Sequence, residues 1–184
     1  IRNGLDSLDT VDRRLGTYRQ SVLKAAVTGA LISRSARDGL DPTATELLEA
    51  LGQQRVARKT KAAVEPDLTY GWSVPDHWEW ASLDGLSWDT SYGSSKKCEP
   101  NGAGIPALRI PNVRSGVILR SDIKRFHEDV SIANSDCLKS GDLLVIRTNG
   151  SEDIIGRGAV VLDEGSEPEF FASYLVRFRL VGDT

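Results

Sequence analysis

The chain has 184 residues, of which 40% are hydrophobic and 27% are charged, values typical of a globular protein. This length allows one good hydrophobic core, or one domain with an extended element. No apolar run approaches the length of a membrane span, and the first residues are polar and charged. The sequence therefore predicts a soluble protein without a membrane segment or a signal peptide.

The two cysteines, Cys98 and Cys137, do not make a disulfide framework, so we expect a reducing, cytoplasmic environment. The chain has no Met, and Ile1 already lies in phase with a helical pattern. We therefore expect it to be a fragment of a longer protein.

The net charge of −3 argues against a uniformly basic nucleic-acid binder. The charges are nevertheless unevenly distributed. Residues 91–125 contain seven basic and two acidic side chains, whereas residues 126–184 contain five basic and eleven acidic ones. This partition predicts a single face that contacts an anionic partner.

Apolar residues spaced by three or four predict a helix from residue 1 to about residue 32. A strict seven-residue step, typical of a coiled coil, joins Ile1, Leu8, Leu15 and Val22. About thirty residues form a rod of roughly 45 Å that cannot bury its apolar stripe alone. We expect this stripe to contact a helix in this chain or another; the alternative is packing on its own domain. The predicted interface residues are Leu8, Leu15, Tyr18 and Val22.

Gly29 and the polar run at 33–42 predict the end of this helix and a turn-rich connection. Either Thr43 or Thr45 can cap a second helix that extends to about Lys61. The basic end of the second helix, residues 55–61, is typical of a solvated helix terminus; contact with a nucleic-acid backbone is the alternative. Residues 65–67 predict a linker.

From residue 70 onward, short β-prone runs alternate with Gly, Pro, Asn and Asp. Trp72, Trp78 and Trp80 predict the nucleus of a core. A Gly- and Ser-rich loop is predicted over residues 91–106. Residues 107–119 predict two strands around a turn, and residues 123–129 a short helix or strand. The predicted fold class is α+β, with a long coiled-coil-type helix followed by a mixed, mostly β domain.

Residues 143–146 predict a buried strand that ends in a polar tip. The tip combines a guanidinium, two hydroxyls, an amide and a Gly that permits a left-handed turn, in Arg147, Thr148, Asn149, Gly150 and Ser151. Such a tip suits a polar partner, although a simple hairpin turn remains the alternative. Further strands are predicted at 159–162 and 170–180.

Most catalytic motifs are absent from the sequence. It has no GxxxxGK[ST] phosphate loop, no GxSxG nucleophile elbow, and no Cys or His pairs at metal-binding spacing. One alternative is a Mg²⁺-dependent nuclease, because Asp76, Asp122 and Lys124 loosely match the carboxylates and lysine of such a site. That pattern is short and frequent by chance, and residues 75–76 are more typical of a turn.

Basic side chains interleave with short polar ones between residues 92 and 157, as in proteins that bind duplex DNA. Arg147 or Lys97 suits a guanine edge, and Asn149 or Asn112 suits adenine. An ion pair with the acidic half of the domain is the alternative for Arg109 and Arg157. The predicted DNA-binding residues are Tyr92, Gly93, Ser94, Ser95, Lys96, Lys97, Arg109, Asn112, Lys124, Arg147, Thr148, Asn149, Gly150, Ser151 and Arg157.

The chain resembles the DNA-specificity subunit of type I restriction-modification enzymes. The resemblance rests on the order of several segments: YRQSVLKAAVTGAL (18–31), TATELLEALGQQR (43–55), GWSVPDHWEWASL (71–83), YGSSKK, PALRIPNVRSGVI, GDLLVIRTNGSEDIIGRGAVV and FASYLVRFRL. The segment at 29–31 departs from the usual Gly-Lys-Leu of the family.

The resemblance implies three parts: a conserved long helix over 1–33, a second helix and linker over 34–69, and an incomplete target-recognition domain over 70–184. It also implies a noncatalytic reader of half of a bipartite DNA target. Its partners would be double-stranded DNA, the modification and restriction subunits, and a second copy or second half of the specificity subunit. S-adenosylmethionine and ATP would bind those partner subunits. The alternative function is that of a protein-assembly adaptor.

Overall fold

The computed structural model describes residues 2–31, 43–69, 72–76, 78–114 and 116–181, with side chains described from residue 8 onward except at residue 9. Ile1, the connection predicted at 33–42 and His77 lie outside these residues. The chain forms two compact units: Ile1–Gln53 with Pro66–Ala81, and Gln54–Glu65 with Ser82–Thr184.

The long predicted helix is present as α1, Arg2–Val27. It ends earlier than predicted, because residues 28–31 form a turn. Gly29 adopts a positive φ of 72°, which confirms its predicted place at the helix end. A Cβ at Gly29 would lie 2.5 Å from Pro75 Cγ, so the end of α1 packs closely on the segment that contains Pro75.

The apolar stripe of α1 faces solvent in this chain. The side chains of Leu8, Leu15 and Tyr18 are 65%, 55% and 68% exposed, and Val22 is 36% exposed. These four described side chains of the stripe are therefore not buried within the unit that contains α1. Neither described helix combines the length and the apolarity that crossing a membrane requires.

The second helix, α2, spans Ala44–Ala57. Its cap is Thr43, whose hydroxyl accepts the Glu46 N–H at 3.3 Å while the Glu46 carboxylate accepts the Thr43 N–H at 2.8 Å. This reciprocal pair is a capping box. The helix ends before Lys59, which adopts a positive φ of 55°.

The prediction that the basic end of α2 is fully exposed was wrong for Arg55, which is buried. Its guanidinium donates to the backbone carbonyls of Asp84, Ser87 and Lys61. Nearby, Arg58 lies over the Trp88 ring, 4.0 Å from its centroid. These hydrogen bonds to backbone carbonyls attach the last turn of α2 to the start of the β domain.

In the described ranges the second unit contains ten strands: β1 Ser87–Tyr92, β2 Cys98–Glu99, β3 Pro106–Leu108, β4 Val113–Arg114, β5 Val117–Ile118, β6 Lys124–Phe126, β7 Asp142–Ile146, β8 Gly158–Val160, β9 Phe170–Phe171 and β10 Leu175–Leu180. One sheet has the order β1-β10-β7-β8, with every pair antiparallel. The other has the order β2-β6-β3-β9, with β3 and β9 parallel. β4 and β5 form a hairpin.

The buried core lies in this unit and is built from aliphatic and phenylalanine side chains, among them Leu108, Phe126, Leu144, Phe171 and Leu175. The predicted tryptophan core was wrong. Trp72 and Trp80 instead pack edge to face on each other at 5.0 Å, and Trp72 is 48% exposed. The indole N–H of Trp80 donates to the Trp72 carbonyl at 3.3 Å, which satisfies it without burial in the core.

The mixed helical and antiparallel content confirms the predicted α+β class. Within residues 123–129 the structure forms strand β6 rather than a helix. Within residues 107–119 it forms more than two strands around a turn, because a 3₁₀ turn at Ile110–Asn112 separates β3 from the β4–β5 hairpin. Ser91 and Tyr92, predicted to open a loop, are the last residues of β1.

Candidate nucleic-acid interface

Two of the predicted contact segments begin at the same end of one sheet. β1 and β7 both pair antiparallel with β10, so they run in the same direction on either side of it. Tyr92, at the end of β1, and Val145, near the end of β7, are both register partners of Val176. The loop after β1 and the polar tip after β7 therefore leave the sheet side by side.

Arg147 and Tyr92 are in direct contact at this end of the sheet. The guanidinium carbon of Arg147 lies 4.7 Å from the centroid of the Tyr92 ring, a cation–π distance. The Arg147 N–H donates to the Tyr174 carbonyl at 3.0 Å, which continues the β7–β10 ladder beyond Ile146. Both side chains are exposed, Tyr92 by 66%.

Arg157 lies at the same end of the sheet. Its carbonyl accepts the Ile146 N–H at 2.9 Å, so the connection 147–157 returns to the sheet beside the place where it left. Gly150 does not use the left-handed conformation that a glycine permits, whereas Gly156, with φ 81°, does. The polar tip is thus the first half of a long hairpin loop, which contains a 3₁₀ turn at Glu152–Ile154.

In the loop after β1, the first residues support the loop and the next ones are exposed. A Cβ on Gly93 would lie 2.3 Å from the Ala172 carbonyl oxygen, so only glycine fits there. Ser94 is fixed on both sides, because its N–H donates to Phe171 and its carbonyl accepts from Ser173. Ser95, Lys96 and Lys97 are exposed.

Two arginines of the basic segment are neutralised by the acidic half of the domain. Arg120 contacts Glu169 at 2.9 Å and Asp163 at 3.1 Å, and Arg125 contacts Glu167 at 2.7 Å. Hydrogen bonds to these carboxylates raise the pKa of both arginines. The sequence offered an ion pair with the acidic half of the domain as the alternative for Arg109 and Arg157. Arg120 and Arg125 form such pairs instead.

Two further bases pair locally. Arg109 contacts Asp122 at 3.0 Å, and Lys97 contacts Glu99 at 3.3 Å. His127 contacts the same Glu99 oxygen at 3.4 Å. The hydrogen bond from Lys97, followed by the charge of His127, lowers the pKa of Glu99.

The remaining bases make no ion pair with another described residue. Between residues 96 and 157 they are Lys96, Arg114, Lys124, Lys139, Arg147 and Arg157. All except Lys124 are exposed. Burial raises the pKa of the Cys98 thiol, and the charges of Arg109 and Lys124 partly offset that rise, so these two bases lie near Cys98.

Asn112 does not reach the surface, being only 1% exposed. Its amide oxygen accepts the Arg109 N–H at 2.8 Å, and its amide nitrogen donates to the carbonyls of Leu119 at 2.8 Å and Asp122 at 3.3 Å. The side chain thus braces the 3₁₀ turn. In this conformation its buried amide has no exposed donor or acceptor for hydrogen bonds to an adenine.

Tyr174 was not predicted but belongs to the same end of the sheet. Its side chain is 54% exposed, and its carbonyl binds the Arg147 N–H. The only sequence signal was a large polar aromatic placed directly before an alternating strand. We define the sheet-end surface as Tyr92, residues 95–97, residues 147–151, Arg157 and Tyr174.

The structure gives no support to a magnesium nuclease site. The Asp122 carboxylate accepts a hydrogen bond from Arg109, and the part of the chain that the structure describes contains no cluster of three carboxylate, His or Cys side chains suited to a metal ion. Asp76 lies in the other unit.

Exposed aromatic, guanidinium and short polar groups beside unpaired bases are typical of nucleic-acid-binding proteins. Sequence comparison identifies a more specific likeness: the chain is similar to specificity subunits of type I restriction enzymes, which confirms the predicted resemblance. No protein-family model matches the chain.

Three relatives carry this likeness. The EcoKI specificity subunit of Escherichia coli K12 is 31% identical over 125 residues, covering 66% of this chain and 27% of the relative. The StySPI subunit of Salmonella potsdam is 30% identical over 173 residues, covering 94% of this chain and 30% of the relative. The EcoEI subunit of Escherichia coli is 24% identical over 197 aligned residues, covering 100% of this chain and 32% of the relative. The chain therefore spans about a third or less of the length of these relatives.

Proposed function

We propose that this chain recognises a DNA sequence, as a noncatalytic part of a type I specificity subunit, through the sheet-end surface. The observation that carries the proposal is the convergence of the loop after β1 and the loop after β7, joined by the Tyr92–Arg147 contact. The similarity to specificity subunits supports the same function.

The distribution of ion pairs also supports this proposal. Lys96, Arg147 and Arg157 are exposed and have no ion-pair partner among the described residues, so they can neutralise phosphates without first breaking an ion pair. In contrast, Arg120 and Arg125 are held by carboxylates. Three of the exposed bases without an ion pair thus lie on the sheet-end surface, whereas Arg114 and Lys139 lie outside it.

Short polar side chains beside these bases suit contacts with base edges. The Asn149 amide nitrogen donates one hydrogen bond, to the Ser151 carbonyl at 3.4 Å. Its second N–H and its amide oxygen make no other hydrogen bond to a described side chain or backbone group, and adenine requires one donor and one acceptor of this kind. Of the residues predicted from the sequence, Gly93 and Asn112 act in this proposal as supports of the surface and not as DNA contacts.

The exposed stripe of α1 supports a second part of the proposal. Leu8, Leu15, Tyr18 and Val22 would pack on another long helix, in the second half or a second copy of the specificity subunit, and the resulting coiled coil would dock modification subunits. The chain would then recognise half of a bipartite target in the cytoplasm. S-adenosylmethionine and ATP would bind the modification and restriction subunits.

The same exposed stripe also favours a second candidate function, that of a protein-assembly adaptor without DNA recognition. The two functions differ in the role of the β domain. An adaptor would keep its assembly with partner subunits after the sheet-end bases are removed, and would show no salt-dependent binding to duplex DNA. A DNA-recognition subunit would show that binding and would lose it with those bases.

The test is duplex binding at a series of salt concentrations by the full chain with its partner subunits. Each phosphate contact contributes about 0.9 to the slope of log K against log salt concentration. Replacing Arg157 with Ala should therefore lower the slope by about one, and the matched variant Arg125→Ala, which removes an ion-paired base, should leave it unchanged. Equal slopes for wild type and Arg157→Ala would contradict the proposed surface.

A further inference from the structure

We propose that Tyr92 is a positioning residue that holds the Arg147 guanidinium ready to bind a guanine edge in the major groove. This inference rests on the proposed function and names the base that the sheet-end surface recognises. It starts from the stacking of Arg147 over the Tyr92 ring at 4.7 Å.

The sheet register explains how the two side chains meet. Tyr92 and Val145 are both partners of Val176, so all three side chains lie on one face of the sheet. Arg147 is two residues beyond Val145, and its N–H continues the ladder by bonding to the Tyr174 carbonyl at 3.0 Å. Arg147 therefore lies on the same face and reaches across β10 to Tyr92.

The hydrogen bonds of Arg147 leave its donors available. A guanidinium carries five N–H donors, and stacking on a ring occupies its face rather than its edge. The only side-chain hydrogen bond of Arg147 within the described residues runs from Nη1 to the Ser173 carbonyl, at a long 3.4 Å. Nε and Nη2 remain available, and two donors on one edge match the O6 and N7 acceptors of guanine.

Stacking also reduces the freedom that Arg147 must lose on binding. An exposed arginine on a flexible stem loses rotamer entropy when it binds, and fixing it beforehand increases affinity without a new contact. Arg157 makes no such contact with a described ring. Arg157 therefore suits a phosphate, which demands less orientation, and Arg147 suits a base.

The experiment is selection of duplexes from a random-sequence pool by the full chain with its partner subunits. We expect the wild type to enrich a motif that contains a guanine, and Arg147→Ala to reduce the preference for that guanine by about 5- to 100-fold. Tyr92→Leu should reduce the preference at the same position by about 2- to 5-fold, and Tyr92→Phe should retain it, because Phe keeps the aromatic face. The other positions of the motif should stay unchanged in all three variants.

Two outcomes overturn the inference and are distinguishable. If the wild type enriches a motif but Arg147→Ala and Tyr92→Leu leave its guanine preferences intact, or relax different positions, the positioning role fails while DNA recognition stands. If the wild type enriches no motif, the proposed function fails and the inference fails with it. Circular dichroism of each variant verifies folding, and Tyr92→Gln, which also removes the aromatic face, keeps the test valid if Tyr92→Leu does not fold.

Discussion

Arg147 stacks over the ring of Tyr92 at 4.7 Å, although Tyr92 ends β1 and Arg147 directly follows β7, a strand far from β1 in the chain. β10 lies between these strands and pairs with both. The contact therefore joins two loops that the sequence presents separately. It makes them one exposed surface that carries a guanidinium, two tyrosines and unpaired bases.

Replacing Asn112 with Ala should destabilise the fold without changing DNA contacts. The buried amide makes three hydrogen bonds around the 3₁₀ turn, and their loss should lower the free energy of unfolding by about 1–3 kcal/mol. Chemical denaturation measures this change. The matched variant Asn149→Ala should behave oppositely, with weaker binding to the selected duplex and nearly unchanged stability. Similar stability losses in both variants would refute this assignment.

Replacing Glu99 with Gln should strengthen binding to duplex DNA of any sequence. Glu99 holds Lys97 at 3.3 Å, and without that carboxylate the ammonium group is free to neutralise a phosphate. The slope of log K against log salt concentration should become steeper by up to about one. Fluorescence anisotropy with a labelled duplex measures it.

The control for Glu99→Gln is Glu167→Gln, which removes the same charge beside Arg125, a base outside the sheet-end surface. That variant should leave the slope unchanged. Equal steepening in both variants would mean that net charge alone, and not the release of Lys97, controls the binding.

Replacing Arg55 with Ala should weaken the attachment of the last turn of α2, residues 54–57, to the β domain. The buried guanidinium donates to three backbone carbonyls, and hydrogen bonds that involve a charged group contribute about 1.5–3 kcal/mol each. We expect the free energy of unfolding to fall by about 3 kcal/mol. Its exposed neighbour on the same helix provides the control, since Gln54→Ala should change stability by about 0.5 kcal/mol or less. Comparable values for the two variants would count against the attachment.

The capping box of α2 predicts a pH dependence. The hydrogen bond from the Thr43 backbone N–H, followed by that from its hydroxyl, lowers the pKa of Glu46 below its ordinary value of 4.5. Because the folded-state pKa is lowered, the stabilising contribution is fully present above pH 4.5 and is lost as the pH falls through the lowered pKa. NMR titration of the Glu46 carboxyl should give a midpoint below 4.5. Thr43→Ala should raise that midpoint, and a wild-type midpoint at or above the ordinary value would disprove the cap.

Elements with a strong local signal could be predicted from the sequence. The spacing of apolar residues predicted α1, the two candidate caps Thr43 and Thr45 predicted the start of α2, and the apolar run and alternation predicted β7 and β10. β1 was missed because its sequence, SWDTSY, has little apolar alternation. It forms because its backbone pairs with β10, a long-range partner that local propensity does not encode.

The candidate site could be predicted only in part, because each side chain depends on partners distant in sequence. The sequence predicted the two loops, but it did not show that Arg125 is neutralised by Glu167 while Arg157 is not. Nor did it show that Asn112 is buried. Burial and ion pairing decide which polar residues are free to bind, and both are set by tertiary structure.

The central claim is that DNA meets the sheet-end surface, and an NMR titration of the chain with the selected duplex tests it most directly. We predict that backbone amide signals change at residues 92–97 and 147–157 and at Tyr174. Signals of residues 163–169, where Asp163, Glu167 and Glu169 hold Arg120 and Arg125, should stay unchanged. Binding that perturbs residues 163–169 and leaves 92–97 and 147–157 unaffected would contradict the claim.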